Sequence, residues 1–329
     1  MFKKALCIGE LVIDFVSTAT DKSLAECAGF TKAPGGAPAN VAVGLSRLGL
    51  ESGFIGKVGD DPFGNYLRKT LEENGVDTSS LISGTGCRTT LAFVATRSDG
   101  MKDIICYRNP GADMLLTPDE INETYIQSAD LFHYGSVSLS HQPSRNATLK
   151  AIQCAKDAGA FISYDPNLRL MLWDSPADAK RWIWEAMQYA DVAKLAEEEW
   201  EFVTGTSDLQ RGSERILESG VGLAVVTRGE HGCYFNDGRI HGYLDGFQVD
   251  VADPLGAGDG FVAAMLAKLM QSFGAGRAPV QLDADQLREI MTYANAAGAL
   301  STQRVGCIPS LPTASEIDAF LSLPADLPC

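Results

Sequence analysis

The feature that most constrains this chain is an alternation. From about residue 128 to residue 227, short apolar runs of strand length take turns with longer runs of helical period. Leu131-Phe-His-Tyr-Gly135, Phe161-Ile-Ser-Tyr-Asp165, Val192-Ala-Lys-Leu195 and Leu223-Ala-Val-Val-Thr227 read as strands, and 143–158, 176–189, 197–203 and 212–219 as helices. Strands joined through helices pair in parallel, and the helices cover both faces of the sheet. The chain therefore predicts an α/β fold with a central, mostly parallel sheet. In such sheets ligands bind beyond the carboxyl ends of the strands.

The N-terminal part departs from this rhythm. Residues 5–15 read as one buried strand running towards an acid, Asp14, at the carboxyl edge of the sheet. The alternative is a turn acid facing water. Residues 16–33 lack clear periodicity. Residues 87–107 read as a hairpin, with strands at 89–96 and 104–107 and a turn at Asp99-Gly100. A hairpin inside a βα-alternating chain suggests a small β lid, drawn from about 16–33 and 87–107. With no linker, low-complexity tract or repeat, residues 1–329 read as a single domain carrying that lid.

Two glycine turns feed helices. Pro34-Gly-Gly-Ala-Pro-Ala-Asn40 precedes a helix at 41–48 that Gly49 stops. Asn40 is expected at the helix start, either capping it or turning its amide to a polyol. Asp253-Pro-Leu-Gly-Ala-Gly-Asp259 follows a strand-like run at 247–251 and opens a helix at 260–273. A helix N-terminus offers unpaired N–H groups and a dipole that favours an anion, and small residues let that anion come close. Asp259 in this turn either caps the helix or takes a hydroxyl proton, and the second role suits phosphoryl transfer. Further on, 286–302 is a helix rich in small residues, suited to tight packing or to a flat ligand such as a purine. Residues 306–312 read as a loop, and Thr313-Ala-Ser-Glu316 is a capping box.

Composition narrows the partners. The net charge of −15 argues against nucleic acid or an anionic membrane, and an anionic substrate would need a local positive pocket or a metal ion. No apolar run approaches the roughly 18 residues that span a bilayer. The start lacks a signal peptide's core, so a cytoplasmic protein is expected. Eight cysteines lie without a CxxC pair, and the four histidines lie apart; neither zinc nor a disulfide framework is suggested.

The two turns, in this order, resemble the signatures of the PfkB family of carbohydrate kinases, which have the ribokinase-like fold. Gly35-Gly-Ala-Pro-Ala-Asn40 with Gly49 looks like the first signature, and Asp253 through Leu266 like the second. The resemblance spans essentially the whole chain. Lys32 to Asn40, Ile55 to Gly64, Tyr107 to Asp113 and Tyr164 to Arg169 are worded like the fructokinase subgroup. The resemblance implies ATP-dependent phosphorylation of a free sugar, most of all D-fructose, with ATP and Mg²⁺ and, as in related kinases, a potassium ion. The rivals within the fold are kinases of 2-keto-3-deoxygluconate, ribose or a nucleoside. From another class comes a catalytically silent protein that keeps the fold and binds a sugar or nucleotide.

Residue by residue, the resemblance implies that Asp259 is the base and Gly256, Ala257 and Gly258 the anion hole. Asp14, Gly35, Gly36 and Asn40 would hold sugar hydroxyls, and Arg108 and Arg169 would approach the sugar or the transferring phosphate. Thr227, Gly229 and Gly232 would border the nucleotide phosphates, with Lys194 and Asn295 nearby. Glu199 would support Mg²⁺ through water. Asp253, Ser301, Gly306 and Ser310 fall where potassium ligands would come from. Four positions depart from the usual pattern: Pro254 and Leu255 replace two threonines, Gly260 an alanine, and Ala196 a polar residue. An exposed lid sheet would also need cover, which makes a homodimer through the lids an expectation.

Overall fold

The computed structural model describes residues 4–96, 102–272 and 282–323. The chain opens with β1 (Lys4–Ile8), β2 (Val12–Ser17), β3 (Phe30–Gly35), α1 (Ala37–Arg47), β4 (Glu51–Gly59), α2 (Pro62–Glu73), β5 (Val76–Asp77) and β6 (Leu81–Gly84). The hairpin strands β7 (Leu91–Thr96) and β8 (Lys102–Tyr107) follow, then α3 (Glu123–Gln127). The alternating section comprises β9 (Leu131–Gly135), α4 (Ser144–Asp157), β10 (Phe161–Asp165), α5 (Pro176–Met187), β11 (Val192–Ala196), α6 (Glu197–Thr204), α7 (Leu209–Glu218) and β12 (Leu223–Thr227). The last elements are β13 (Cys233–Asn236), β14 (His241–Leu244), α8 (Ala257–Ser272), α9 (Ala284–Thr302), α10 (Cys307–Ser310) and α11 (Ala314–Leu321).

The main sheet runs β14-β13-β12-β11-β10-β9-β1-β4-β5, with β6 also on β4. Every pairing from β12 to β5 is parallel, and only β13 and β14 are antiparallel additions at one end. Side chains alternate across it. Ala5 and Cys7 join a core with Val41, Leu45, Phe261, Leu266 and Met291, from α1, α8 and α9. Leu6 and Ile8 join a second core with Ile152, Ile183, Trp200 and Ile216, from α4, α5, α6 and α7. The expected α/β layering is present, with helices on both faces.

A second, four-stranded sheet has the order β3-β2-β7-β8. The expected hairpin is its antiparallel β7–β8 pair; the turn at Asp99-Gly100 and Phe273 lie outside the described residues. The expected single strand at 5–15 is two strands in two sheets. The chain bends at 9–11, where a Cβ on Gly9 would stand 2.5 Å from Pro38 Cγ. Asp14 therefore lies on β2 of the second sheet, not at the carboxyl edge of the main one.

Other boundaries shift for local reasons. The run at 247–251 forms no strand, despite its β-branched residues. Helix α1 starts at Ala37, so Asn40 lies inside its first turn and Gly36 takes the cap position. Helix α7 begins at Leu209 because Asp208 caps it, accepting the Arg211 amide. Part of the expected loop at 306–312 is the short helix α10. Helices α1 and α8 touch almost backbone to backbone: a Cβ on Gly44 would stand 2.6 Å from Ala263 Cβ.

Candidate active site

Parallel strands β9 to β12 end on one side of the main sheet, and their ends carry Gly135, Asp165, Ala196 and Thr227. The N-terminus of α8 meets this edge. Gly256, with φ of 88°, makes the turn into the helix, and a Cβ there would overlap Cys307 Sγ. The Gly260 amide closes the first turn on the Gly256 carbonyl at 2.8 Å. The amides of Gly258 and Asp259 have no acceptor among the described residues. That is the anion-accepting geometry of a helix start.

Asp259 is buried in this turn. Its Oδ2 accepts Asn40 Nδ2–H at 2.8 Å and lies 3.6 Å from the thiol of Cys307. Burial pushes its carboxyl up to about 6. The Asn40 hydrogen bond and the charges of Lys194 and Arg169 hold it down, and Asp165 pushes it further up. A buried carboxylate poised near neutrality is suited to accepting a proton. Its reach across the chain matters as much: the first turn of α1 supplies the amide that fixes it.

Lys194, from β11, is buried and lies 3.1 Å from Asp165 Oδ2. Burial opposes its charge, but Asp165, Glu199 and Asp259 outweigh burial and raise its pKa. A Cβ on Gly258 would stand 3.2 Å from Lys194 Nζ, so this cation borders the helix start itself. Glu199 is buried too, and its two oxygens accept the Leu168 amide at 2.6 Å and the Ala196 amide at 2.9 Å. It thereby ties the loop after β10 to the start of α6. Arg169, exposed, donates to the Asn167 and Leu168 carbonyls, at 3.4 and 3.1 Å.

Asp14 and Arg108, two of the residues expected on the sugar side, lie near β8. Asp14 lies directly on Gly35, where a Cβ would overlap its Oδ2. Asp14, Arg108 and Arg169 all act electrostatically on Cys106. Arg108 is buried and engaged. It donates to Asp113 Oδ2 at 2.7 Å, to Ser140 Oγ at 3.1 Å and to the Val137 carbonyl at 3.4 Å.

On the other flank, the β12–β13 turn contains Gly229 and Gly232, with φ of 55° and 80°. Thr227 Oγ1 donates to the Leu195 carbonyl at 3.5 Å, and Asn295 Nδ2 to the Asp245 carbonyl at 3.2 Å. Asp253 braces the turn, since its oxygens accept the Leu255 amide at 3.0 Å and the Gly306 amide at 2.9 Å. The hydroxyls of Ser301 and Ser310 donate to backbone carbonyls of Ala297 and Cys307. Gly260 has a physical reason here: a Cβ would overlap Ser301 Oγ. Among the described residues, no cluster of three or more His, Cys, Asp or Glu has the form of a metal site.

The model of the pfkB family carbohydrate kinases matches residues 3–314. The chain belongs to this family. A probable fructokinase-4 of Arabidopsis thaliana is 48% identical over 314 residues, covering 95% of each chain. Among solved pfkB-type structures, fructokinase of Xylella fastidiosa with bound ATP superposes with a TM-score of 0.89 at 31% identity, covering 98% of both chains. A double mutant of Vibrio cholerae O395 fructokinase, solved with fructose, ADP and a potassium ion, gives 0.86 at 32% identity, covering 98% of this chain and 99% of that one. The fold is ribokinase-like, and the chain is a carbohydrate kinase.

Of the residues singled out by sequence, Asp259, Asn40, Lys194 and the 256–258 turn come together, as do Asp14 with Gly35 and Asp253 with Gly306. Each guanidinium nitrogen of Arg108 has a partner in its own surroundings. Asp165, beside Lys194, is signalled in the sequence only as an acid ending a strand. Cys307 and Glu10 carry no motif of their own.

Proposed function

We propose that this kinase transfers the γ-phosphoryl group of ATP to a primary hydroxyl of D-fructose, with Asp259 as base. The observation that carries the reading is the Asp259 carboxylate in the first turn of α8, held by Asn40 beside unoccupied amides. The sugar follows from the fructokinases that share the chain's length. Transfer asks little covalent work of the protein; positioning and electrostatics dominate. Asn40 occupies Oδ2, which leaves Oδ1 to take the proton from the acceptor hydroxyl. The Gly258 and Asp259 amides and Lys194 face the charge that builds on the phosphoryl oxygens. Asp14, Gly35 and Gly36 hold the sugar, with Arg169 over it.

Thr227, Gly229, Gly232 and Asn295 border the nucleotide. Glu199, with an amide on each oxygen, would support through water a magnesium ion bound with ATP, which would offset phosphate charge. Asp253 likewise has both oxygens taken, so it orders the loop, and a potassium ion would rest on the oxygens around 301–310. The second sheet closes over the acceptor. Its exposed Ile105 and Tyr107, 47% and 61% accessible, are the contact for a second copy, which light scattering at micromolar concentration should find as a dimer.

The deciding experiment is an ADP-release assay over a panel of sugars. Fructose should give the highest kcat/KM. A higher value with ribose or a keto-deoxy acid overturns the sugar, and no release with any sugar overturns the kinase.

A further inference from the structure

Helix α1 has Pro38 in its first turn but begins without a side-chain cap of its own. Its cap residue is Gly36, its first turn holds no acid, and no side chain at the cap position accepts a hydrogen bond. Ser, Thr, Asp or Asn ordinarily does this. Here the acceptor comes from 27 residues away: Glu10 Oε1 takes the Ala37 N–H at 3.0 Å. The two segments are pressed together, since a Cβ on Gly36 would overlap the Glu10 carbonyl. Gly36, with φ of 115°, can be replaced by no other residue without strain.

Glu10 is 8% exposed, and its Oε2 has no partner among the described residues. Burial pushes its carboxyl up to about 7, Asp113 adds to this, and Arg108 opposes it. A buried acid with one bonded oxygen is costly, and capping one helix does not require burial. Its place in the chain gives a reason. Glu10 sits in the bend at 9–11, between β1 of the main sheet and β2 of the second. Ala37, which it holds, opens the turn that contains Asn40. The Asn40 amide N–H closes that turn on the Gly36 carbonyl at 3.0 Å, and its side chain reaches Asp259.

We propose that Glu10 is a positioning residue for phosphoryl transfer: by fixing the first turn of α1, it sets the Asn40 amide on Asp259 Oδ2. This rests on the reading of Asp259 as base. Without the Glu10 acceptor the turn frays, Asn40 leaves Oδ2, and the carboxylate loses both its orientation and a hydrogen bond that favours its ionised form. The other groups facing Asp259 are Asp165, Lys194, Arg169 and Cys307, whereas the charges acting on Glu10 are those of Asp113 and Arg108.

The test compares Glu10→Ala, Glu10→Gln, Asn40→Ala and the double variant Glu10→Ala with Asn40→Ala. kcat, the pH profile of kcat/KM and thermal melting are measured for each. Glu10→Ala should lower kcat by roughly 10-fold, the scale of a misplaced group. It should also move the acid limb of the profile to higher pH. Glu10→Gln keeps an acceptor for Ala37 and should recover most of both. Asn40→Ala should show the same limb shift, and adding Glu10→Ala to it should move the limb no further. A folded Glu10→Ala enzyme with an unmoved limb overturns the proposal, as does a Gln variant no better than Ala. If Glu10→Ala fails to fold, Glu10→Asp, one methylene short, goes through the same measurements; a limb in the wild-type place overturns the proposal. Asp259→Asn is run alongside. Normal turnover there removes the base itself, whereas an inactive Asp259→Asn with an unmoved limb in Glu10→Ala removes only the role of Glu10.

Discussion

The two glycine turns make the same bend by different means. Each places a glycine at positive φ before a helix, 115° at Gly36 and 88° at Gly256, and in each the missing Cβ is replaced by a neighbour. At Gly36 the neighbour is a backbone carbonyl, that of Glu10. At Gly256 it is the sulfur of Cys307. The α1 turn is held by an acid from a distant bend, and the α8 turn by Asp253 within its own loop. The first turn ends in a neutral amide, Asn40, and the second in a carboxylate, Asp259. On the proposed reading, one turn orients and the other reacts. The hydrogen bond between them is where the two tasks meet.

The strongest way to break this contrast is Asp259→Asn. It should cut kcat by at least ~10²–10⁴-fold, as for a lost general base, while the ATP Kd changes little because the turn's amides remain. The same variant should melt at a higher temperature than wild type at pH 7. With a folded pKa of about 6 against an ordinary value of 3.8, the folded state holds its proton longer, so stability is lost as pH rises from about 3.8 to about 6, and at pH 7 the full loss is present, which asparagine escapes. Near-normal turnover would erase the division of labour.

Arg108→Ala comes next. It leaves Asp113 buried without its cation, a change costing on the order of 3–5 kcal/mol in denaturant melts. In the folded fraction, sugar KM should rise more than nucleotide Kd. Equal changes would detach Arg108 from the acceptor side.

The turns themselves can be compared by alanine. Both glycines carry a backbone penalty of about 1–2 kcal/mol at positive φ. Gly36→Ala should exceed that, because a carbonyl cannot step aside. Gly256→Ala should be milder in a Cys307→Ala background than alone. Equal destabilisation at both sites, read from urea midpoints, would show that the neighbour's identity does not matter.

The pH profile sharpens the picture of the second turn. Asp259 must be ionised to act, so kcat/KM should fall as pH drops through about 6, and a limb near 4 would contradict the burial argument. The smallest effect belongs to Cys307→Ala, which removes only a weak S–H contact. A shift of the limb comparable to that of Asn40→Ala would make the thiol a partner of equal standing.

Much of this was readable from residues. Period and length located β9 to β12 and their helices, because each element buries its own repeating face. Glycine followed by a helical run located both turns. The split of 5–15 was not readable, since Leu6, Ile8, Ile13 and Phe15 are equally apolar in either sheet and the close approach of Gly9 to Pro38 is a contact between distant parts of the chain. The run at 247–251 has strand composition without a strand, because pairing needs a neighbouring edge that no local pattern announces. The Glu10 cap was hidden for the same reason: a cap motif is local, and this one spans 27 residues. Asn40 looked like a helix boundary because Pro38 lies within what is in fact the first turn.

The contact between Gly44 and Ala263 has a bearing on engineering. It welds α1 to α8, so both glycine turns and the bond between Asn40 and Asp259 form one unit that must be inherited together. The second sheet meets that unit through Ile13, in the same core, and Phe15 packed against it, so a graft keeps both apolar. A designer seeking another acceptor has a natural cut line: exchange 12–33 and 91–107, and leave 34–47 and 253–272 untouched. A graft that replaces only one of the two helices would misfit at the weld before it ever met a sugar.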